Sequence, residues 1–185
     1  MTLHINFELT ETDLAYFRSR FSEAKENWSN AEPHTLIDNA QALVDRGLAG
    51  DSPAFVQRRL HLLGRVISMV RDETWQLPSD LREHVLAMLA YFVEPDDLVS
   101  DDIPGLGLID DAIAVELVVR ELQHELEAYE EFAAFRSAEE QRRASHGDGT
   151  DVTTDDWLAD KRSALHSRMR ERRAQAPQGW RYTTF

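Results

Sequence analysis

The chain has 185 residues, 42% of them hydrophobic, which suffices for one sizeable core and predicts a single helical domain with appendages. The formal net charge of −14 argues against a general binder of nucleic acid or of anionic membranes, because the negative field would repel phosphates. The sequence contains no cysteine, which excludes disulfide scaffolds, thiolate metal sites and cysteine nucleophiles and favours a cytoplasmic location.

The chain starts with a short alternating segment and then a helix signal. Apolar and polar residues alternate over residues 4–9, which predicts a short strand. Thr10 and Asp13 have the spacing of a capping box, with aspartate in place of glutamate. Apolar residues then recur at spacings of three and four, so a first helix is predicted over residues 11–26.

Two further helices have proline at their starts. Pro33 occupies a first helical position, and Gly47 or Gly50 is predicted to end this second helix. Ser52 followed by Pro53 predicts the start of a third helix. The apolar residues of this helix cover more than one of its faces, which indicates a central position in the fold.

A fourth helix is predicted from Pro78 and Ser79 and cannot continue through Pro95. It contains the longest apolar run in the chain, residues 85–93. A membrane-spanning helix needs about 20 apolar residues, so this run predicts no membrane span.

An acidic loop follows, with an unusual density of aspartate, proline and glycine over residues 91–111. Its pattern of an aromatic residue, Pro-x-Asp, Ile-Pro, glycine and a final Asp-Asp pair resembles the YkvA-like family, a bacterial domain of unknown function. The matching residues are Tyr91, Pro95, Asp97, Asp101, Ile103, Pro104, Gly107, Asp110 and Asp111. Ser100 stands where that family usually has proline. The resemblance covers residues 80–120 and implies no activity.

The loop aspartates allow two interpretations. Asp97, Asp101, Asp110 and Asp111 could converge on a divalent cation such as Mg²⁺, Mn²⁺ or Ca²⁺, because carboxylate oxygens are hard ligands. Such a site could serve a hydrolase with Glu94 as a base. Alternatively, Asp110 or Asp111 caps the next helix and the prolines and glycines shape the turn.

The next helix is predicted as one long element from Asp110 or Asp111 to about Arg143. It contains the string Glu121-x-x-His124-Glu125, whose spacing places possible metal ligands on one face. A di-iron bundle needs a second such string, which the sequence lacks. We therefore interpret these three residues as part of a solvated face.

A breaker-rich linker over residues 144–152 separates the core, residues 1–143, from a C-terminal arm, residues 153–185. Thr153 with Asp156 predicts the start of the last helix, and an aromatic tail follows it. This arm concentrates basic charge at Lys161, Arg162, Arg168, Arg170, Arg172, Arg173 and Arg181. Docking on the protein's own acidic surface, or on that of a sister subunit, is favoured over contact with nucleic acid.

These patterns predict an all-α bundle of five or six helices, with at most a small terminal β pairing. The leading functional hypothesis is a non-enzymatic binding or regulatory protein whose basic arm mediates assembly with a protein or with itself. A divalent-metal-dependent hydrolase that uses the loop is the alternative, so catalysis is left open. A third hypothesis, an acidic inhibitor or nucleic-acid mimic, rests on net charge alone.

Overall fold

The computed structural model describes residues 10–28, 32–50, 52–93, 108–146 and 154–175. These ranges contain seven α-helices and no strand. The helices are α1 (Glu11–Asn27), α2 (Pro33–Ala49), α3 (Ala54–Arg71), α4 (Ser79–Val93), α5 (Ile109–Glu121), α6 (Gln123–His146) and α7 (Thr154–Gln175). The all-α prediction is confirmed, whereas the predicted count of five or six helices is wrong. The segments predicted to form a β pairing lie outside the described residues.

The starts of the early helices follow from local chemistry. The Thr10 hydroxyl accepts a hydrogen bond from the Asp13 N–H at 3.4 Å, and the Thr10 N–H donates to the Asp13 carboxylate at 2.7 Å. This reciprocal pair satisfies backbone donors that the first turn of α1 leaves free. Pro33 begins α2, where its missing N–H costs nothing. The predicted starts of both helices are confirmed.

The centre of the fold is α4, which packs against α1, α2 and α3. Six consecutive residues of α4, residues 87–92, are buried, so the helix is enclosed on all sides over this stretch. Tyr91 of α4 meets Phe21 and Phe17 of α1 edge to face, with ring centroids 5.1 and 6.4 Å apart. These aromatic contacts fix α1 on α4.

A close helix contact depends on Gly47, which lies inside α2. Of the two glycines predicted to end this helix, Gly50 is the C-cap, so that prediction is confirmed. A Cβ at Gly47 would lie 2.5 Å from Leu60 Cδ1 of α3 and 2.9 Å from Leu108 Cδ1. The absence of a side chain therefore lets α3 and the start of α5 approach α2.

The predicted long helix is wrong, because Leu122 divides it into α5 and α6. Leu122 has φ −94° and ψ 14°, outside helical geometry, and its side chain is fully buried. The hydrogen-bond ladder still passes through it, since its N–H donates to Val118 and its carbonyl accepts from Leu126, both at 2.9 Å. The division lets α5 pack on α3 while α6 packs on α7.

In the described parts of the chain, no helix combines the length and apolarity that a bilayer crossing requires.

Candidate functional site

Two of the predicted ligand residues, Asp110 and Asp111, lie in the first turn of α5 with only 5% and 3% of their surface exposed. Neither is the N-cap, so that prediction is wrong. Leu108 holds the N-cap position with a left-handed backbone, φ 65° and ψ 15°, and makes no side-chain capping bond. Burial of Leu108 beside Gly47 decides the position, and the two aspartates complement the helix dipole from the first turn.

The other predicted ligands, Asp97 and Asp101, lie outside the described residues, as does the proposed base Glu94. Within the described ranges, no group of three or more histidine, aspartate or glutamate side chains is arranged to hold a metal ion. The convergence of all four aspartates therefore stays a prediction.

The Glu121-x-x-His124-Glu125 string does not form the solvated face that its sequence suggested. Glu121 Oε1 lies 3.1 Å from the His84 Nε2 of α4, and both side chains are largely buried. Glu125 has none of its surface exposed and pairs with Arg173 of α7 at 3.1 Å. The string thus connects α5 and α6 to two other helices, because its two glutamates point to different partners.

The most extensive polar arrangement in the described structure joins α6 to α7. Glu131 accepts from Lys161 at 2.7 Å and from Arg168 at 2.8 Å. Glu127 accepts from Arg172 at 2.9 Å. The basic arm therefore docks on the acidic surface of its own chain, one of the two docking arrangements predicted from the sequence.

Apolar residues of α7 accompany these ion pairs. Leu158, Leu165 and Met169 recur along one side of α7 and are at least nine-tenths buried. Fully burying such a side chain contributes about 1.5–3 kcal/mol, whereas an exposed ion pair contributes about 0–1 kcal/mol. The apolar residues thus provide most of the docking free energy, and the charges set register and choice of partner.

A narrow cleft of about 40 Å³ remains between α6 and α7, lined by His124, Glu127 and Arg172 among others. It has room for about one water, far below the 300–1,000 Å³ of a typical small-molecule site. The cleft is therefore an imperfection of helix packing and not a substrate pocket.

The connector between α3 and α4 carries a second cluster, centred on Trp75. Its fully buried indole meets the rings of Phe132, Tyr129 and His166 at centroid distances of 5.2, 5.9 and 4.4 Å. The first two residues lie on α6 and the third on α7. Arg162 of α7 also donates to the Thr74 carbonyl at 2.9 Å. The connector is thus held by both helices.

Asp72 organises the polar side of this cluster. Its carboxylate binds the Arg136 guanidinium at 2.8 Å and the Tyr129 hydroxyl at 3.3 Å, and it accepts from the Thr74 N–H at 3.0 Å. Burial raises the pKa of Asp72, but the hydrogen bonds from Arg136 and Thr74 outweigh it and lower the pKa overall. Burial and the nearby Asp72 carboxylate raise the pKa of Tyr129.

Comparison with known proteins returns one result, which concerns the acidic loop and the two helices that flank it. Residues 84–117 match the model of DUF1232, a family described as proteins of unknown function. The match confirms the resemblance predicted from the loop residues and is compatible with the YkvA-like name. It covers most of α4, the loop and the first turns of α5. No curated protein and no solved structure is detectably similar to the chain.

Sequence reasoning missed the residues that hold α7 in place. Trp75, Asp72 and His166 were not singled out, and Glu125 was taken as solvated. One signal was present: Glu127 and Glu131 are four residues apart, as are Arg172 and Arg168. In an antiparallel helical hairpin these spacings align opposite charges. The register of α6 against α7 could therefore have been predicted from the positions of these four residues.

Proposed function

We propose that the chain is a non-enzymatic binding protein whose α6 surface binds a basic amphipathic helix, and that α7 of a second copy is the helix it binds during assembly. The observation that carries the proposal is the charge complementarity of α6 and α7. Glu127 and Glu131 on one helix meet Lys161, Arg168 and Arg172 on the other. The same contacts can form between two chains, because they need only these two helices.

The balance between the two arrangements depends on concentration. A short connection between α6 and α7 gives an effective concentration in the millimolar range, so docking within one chain is favoured in dilute solution. Exchange between copies needs either a high local concentration or a block on docking within the chain. In the proposed function, α7 therefore covers the binding surface of an isolated chain and is released to a neighbouring copy during assembly.

Matched charge reversals test the proposal. One variant, Glu127→Lys/Glu131→Lys, reverses the charge of the α6 surface. A second, Arg168→Glu/Arg172→Glu, reverses the charge at two positions of α7. We expect each to dock α7 poorly within its own chain and to be monomeric alone. Their mixture should form a 1:1 complex in light scattering after gel filtration, because the intact arm of the first fits the intact surface of the second. The complex should weaken as salt is raised.

A single chain with all four reversals is the folding control. It should regain most of the thermal midpoint of the wild type, since two of the three ion pairs again bring opposite charges together and only Lys161 faces a like charge. If the mixture stays monomeric while this control regains its midpoint, α7 docks only within one chain and the proposal fails. If the control does not recover, charge complementarity does not govern docking and the proposal loses its basis.

A divalent-cation site at the acidic loop is the second candidate function, favoured by the burial of Asp110 and Asp111. Adjacent buried carboxylates repel each other and gain from a nearby cation. In this candidate, Asp97 and Asp101 complete the ligand set and the protein is a metal-dependent hydrolase. The α5 dipole favours the same carboxylates without metal, so their charge must be tested directly.

Thermal-shift titrations with Mg²⁺, Mn²⁺ and Ca²⁺ make this test. Asp110→Asn/Asp111→Asn keeps the side-chain size but removes the charge that a hard cation prefers. A cation site predicts that metal raises the midpoint of the wild type and not that of the variant. Glu139→Gln/Glu140→Gln, also adjacent carboxylates, should keep the response. No rise in the wild type would exclude the cation site.

A further inference from the structure

The imidazole of His166 lies where α7 meets the connector between α3 and α4. Its ring stands edge to face on the buried Trp75 indole, with centroids 4.4 Å apart and planes at 82°. Arg162 and Arg170 lie one helical turn before and after it on the same side of α7. A positive charge on the ring would therefore be placed between two guanidinium groups.

The charged groups that act on this ring are Arg162 and Arg170 of α7. Asp72 of the connector and Arg136 of α6 belong to the same cluster around Trp75. The Asp72 carboxylate is bound to Arg136 at 2.8 Å and also accepts from the Tyr129 hydroxyl, so its negative charge is already compensated. The surroundings of the ring thus favour the neutral imidazole.

Burial, and then the charges of Arg162 and Arg170, lower the pKa of His166, while a hydrogen bond with the Trp75 backbone opposes this. Undocking ends the burial of the ring and, because an isolated helix of this length is marginal in water, also loosens its contact with the two arginines, so the pKa returns toward its ordinary value of about 6.5. The undocked state therefore binds the proton more tightly, and docking is strongest above pH 6.5 and weakens as the pH falls below it. Lys161 and then Arg168 lower the pKa of Glu131 from 4.5, so this carboxylate stays charged over that range.

We propose that protonation of His166 releases α7 from Trp75 and from α6, so that the closed chain opens on acidification below about pH 6.5. The inference concerns docking within one chain and holds whether or not copies exchange α7. Where exchange does occur, acidification would free both the arm and the α6 surface. The regulated step is then the exposure of the binding surface.

Amide hydrogen exchange of the wild-type chain in dilute solution tests the proposal. The exchange rates are corrected for the intrinsic effect of pH. An undocked helix of this length is marginal in water, so α7 amides report the ratio of undocked to docked molecules even when that ratio is small. The ratio should rise between pH 7.5 and 5.5, by up to about tenfold for each unit by which docking lowers the pKa. Amides of α2 should not change.

Three histidine variants show which histidine causes the pH dependence of α7 exchange. His166→Gln should remove the dependence on pH, while His61→Gln, an exposed residue of α3, should keep it. His124→Gln should also keep it, although His124 lies in the same interface. The proposal is overturned if α7 of the wild type shows no rise, if His166→Gln keeps the full rise, or if His124→Gln removes it.

If His166→Gln fails to dock α7 at pH 7.5, a further variant tests the role of His166. Arg170 is exposed and donates to Ser167 within α7, so Arg170→Gln leaves the packing intact. Removing its charge eases protonation of the docked ring, so the rise in α7 exchange should still begin near pH 6.5 but should be smaller than in the wild type. A rise as large as that of the wild type would contradict a role for His166.

Discussion

Arg173 of α7 approaches Glu125 of α6 to 3.1 Å, and the glutamate has none of its surface exposed. A buried carboxylate is costly unless a cation or hydrogen bonds compensate it. This pair lies nearer the C-terminal end of α7 than the pairs of Glu127 and Glu131. It therefore ties the last turns of the helix to the interior and not only to the surface of α6.

Arg173→Met should destabilise the protein by about 3 kcal/mol, at the low end of the range for broken buried pairs, because a quarter of the Arg173 side chain is exposed. Urea unfolding measures the loss. Arg170→Met, an exposed arginine of the same helix, should change the free energy of unfolding by less than about 0.5 kcal/mol. Adding Glu125→Gln to Arg173→Met should recover part of the loss; further destabilisation would contradict the coupling.

Gly47→Ala should destabilise by about 1–3 kcal/mol, because the new Cβ would lie 2.5 Å from Leu60 Cδ1 in a closely packed core. This cost exceeds the gain of about 1 kcal/mol from helix propensity. Gly64→Ala in α3 is the matched control, since its nearest neighbour, Val44 Cγ1, is 3.9 Å away. The control should be neutral or stabilising by up to about 1 kcal/mol in thermal unfolding. Equal effects of the two substitutions would contradict the close contact.

Asp72→Asn should destabilise by about 1.5–3 kcal/mol at pH 7 through loss of a charged hydrogen-bond acceptor for Arg136. Because folding lowers the pKa of Asp72 overall, its contribution is full above the ordinary value of 3.8 and is lost as the pH falls through the lower folded value. The difference between wild type and variant in urea unfolding should therefore shrink from pH 7 to pH 3. A difference that does not depend on pH would indicate packing and not charge.

Asp38→Asn provides the comparison for this prediction. Asp38 also pairs with an arginine, Arg71, at 2.6 Å, but 72% of its side chain is exposed. Its removal should cost at most about 1 kcal/mol at pH 7. The two variants share the same chemical change, so the contrast isolates the effect of burial.

Thr10→Ala should cost about 1 kcal/mol, because the first turn of α1 loses the hydroxyl that accepts from the Asp13 N–H. Thr10→Ser keeps that acceptor and should lie within about 0.5 kcal/mol of the wild type in urea unfolding. Equal losses in the two variants would show that the Thr10 methyl group, and not the capping bond, stabilises α1.

The features that the sequence predicted correctly are those set by local chemistry. The capping box of Thr10, the proline start of α2 and the start of α4 at Ser79 depend on neighbours within a few residues. The N-cap of α5 and the break at Leu122 could not be predicted in this way. Burial of Leu108 against Gly47, and the packing of α5 and α6 on different helices, decide them through contacts distant in sequence.

In the candidate sites too, some features could be predicted from the sequence, and others depend on contacts that are distant in sequence. The basic character of α7 and its docking on an acidic surface followed from composition, but the contacts of Glu125 and His166 depend on which helices become neighbours. Burial of Asp110 and Asp111 could not be inferred either, because aspartate is usually exposed. Asp97 and Asp101 lie outside the described residues.

The position of Trp75 affects how the chain folds during synthesis. Its aromatic contacts come from Tyr129, Phe132 and His166, all of which leave the ribosome after it. At about 5–20 residues per second, the last of these is made roughly 5 to 20 s after the indole. A nascent or prematurely terminated chain without α7 therefore lacks part of the cover over this large apolar ring, which is the kind of surface that chaperones and quality-control proteases recognise.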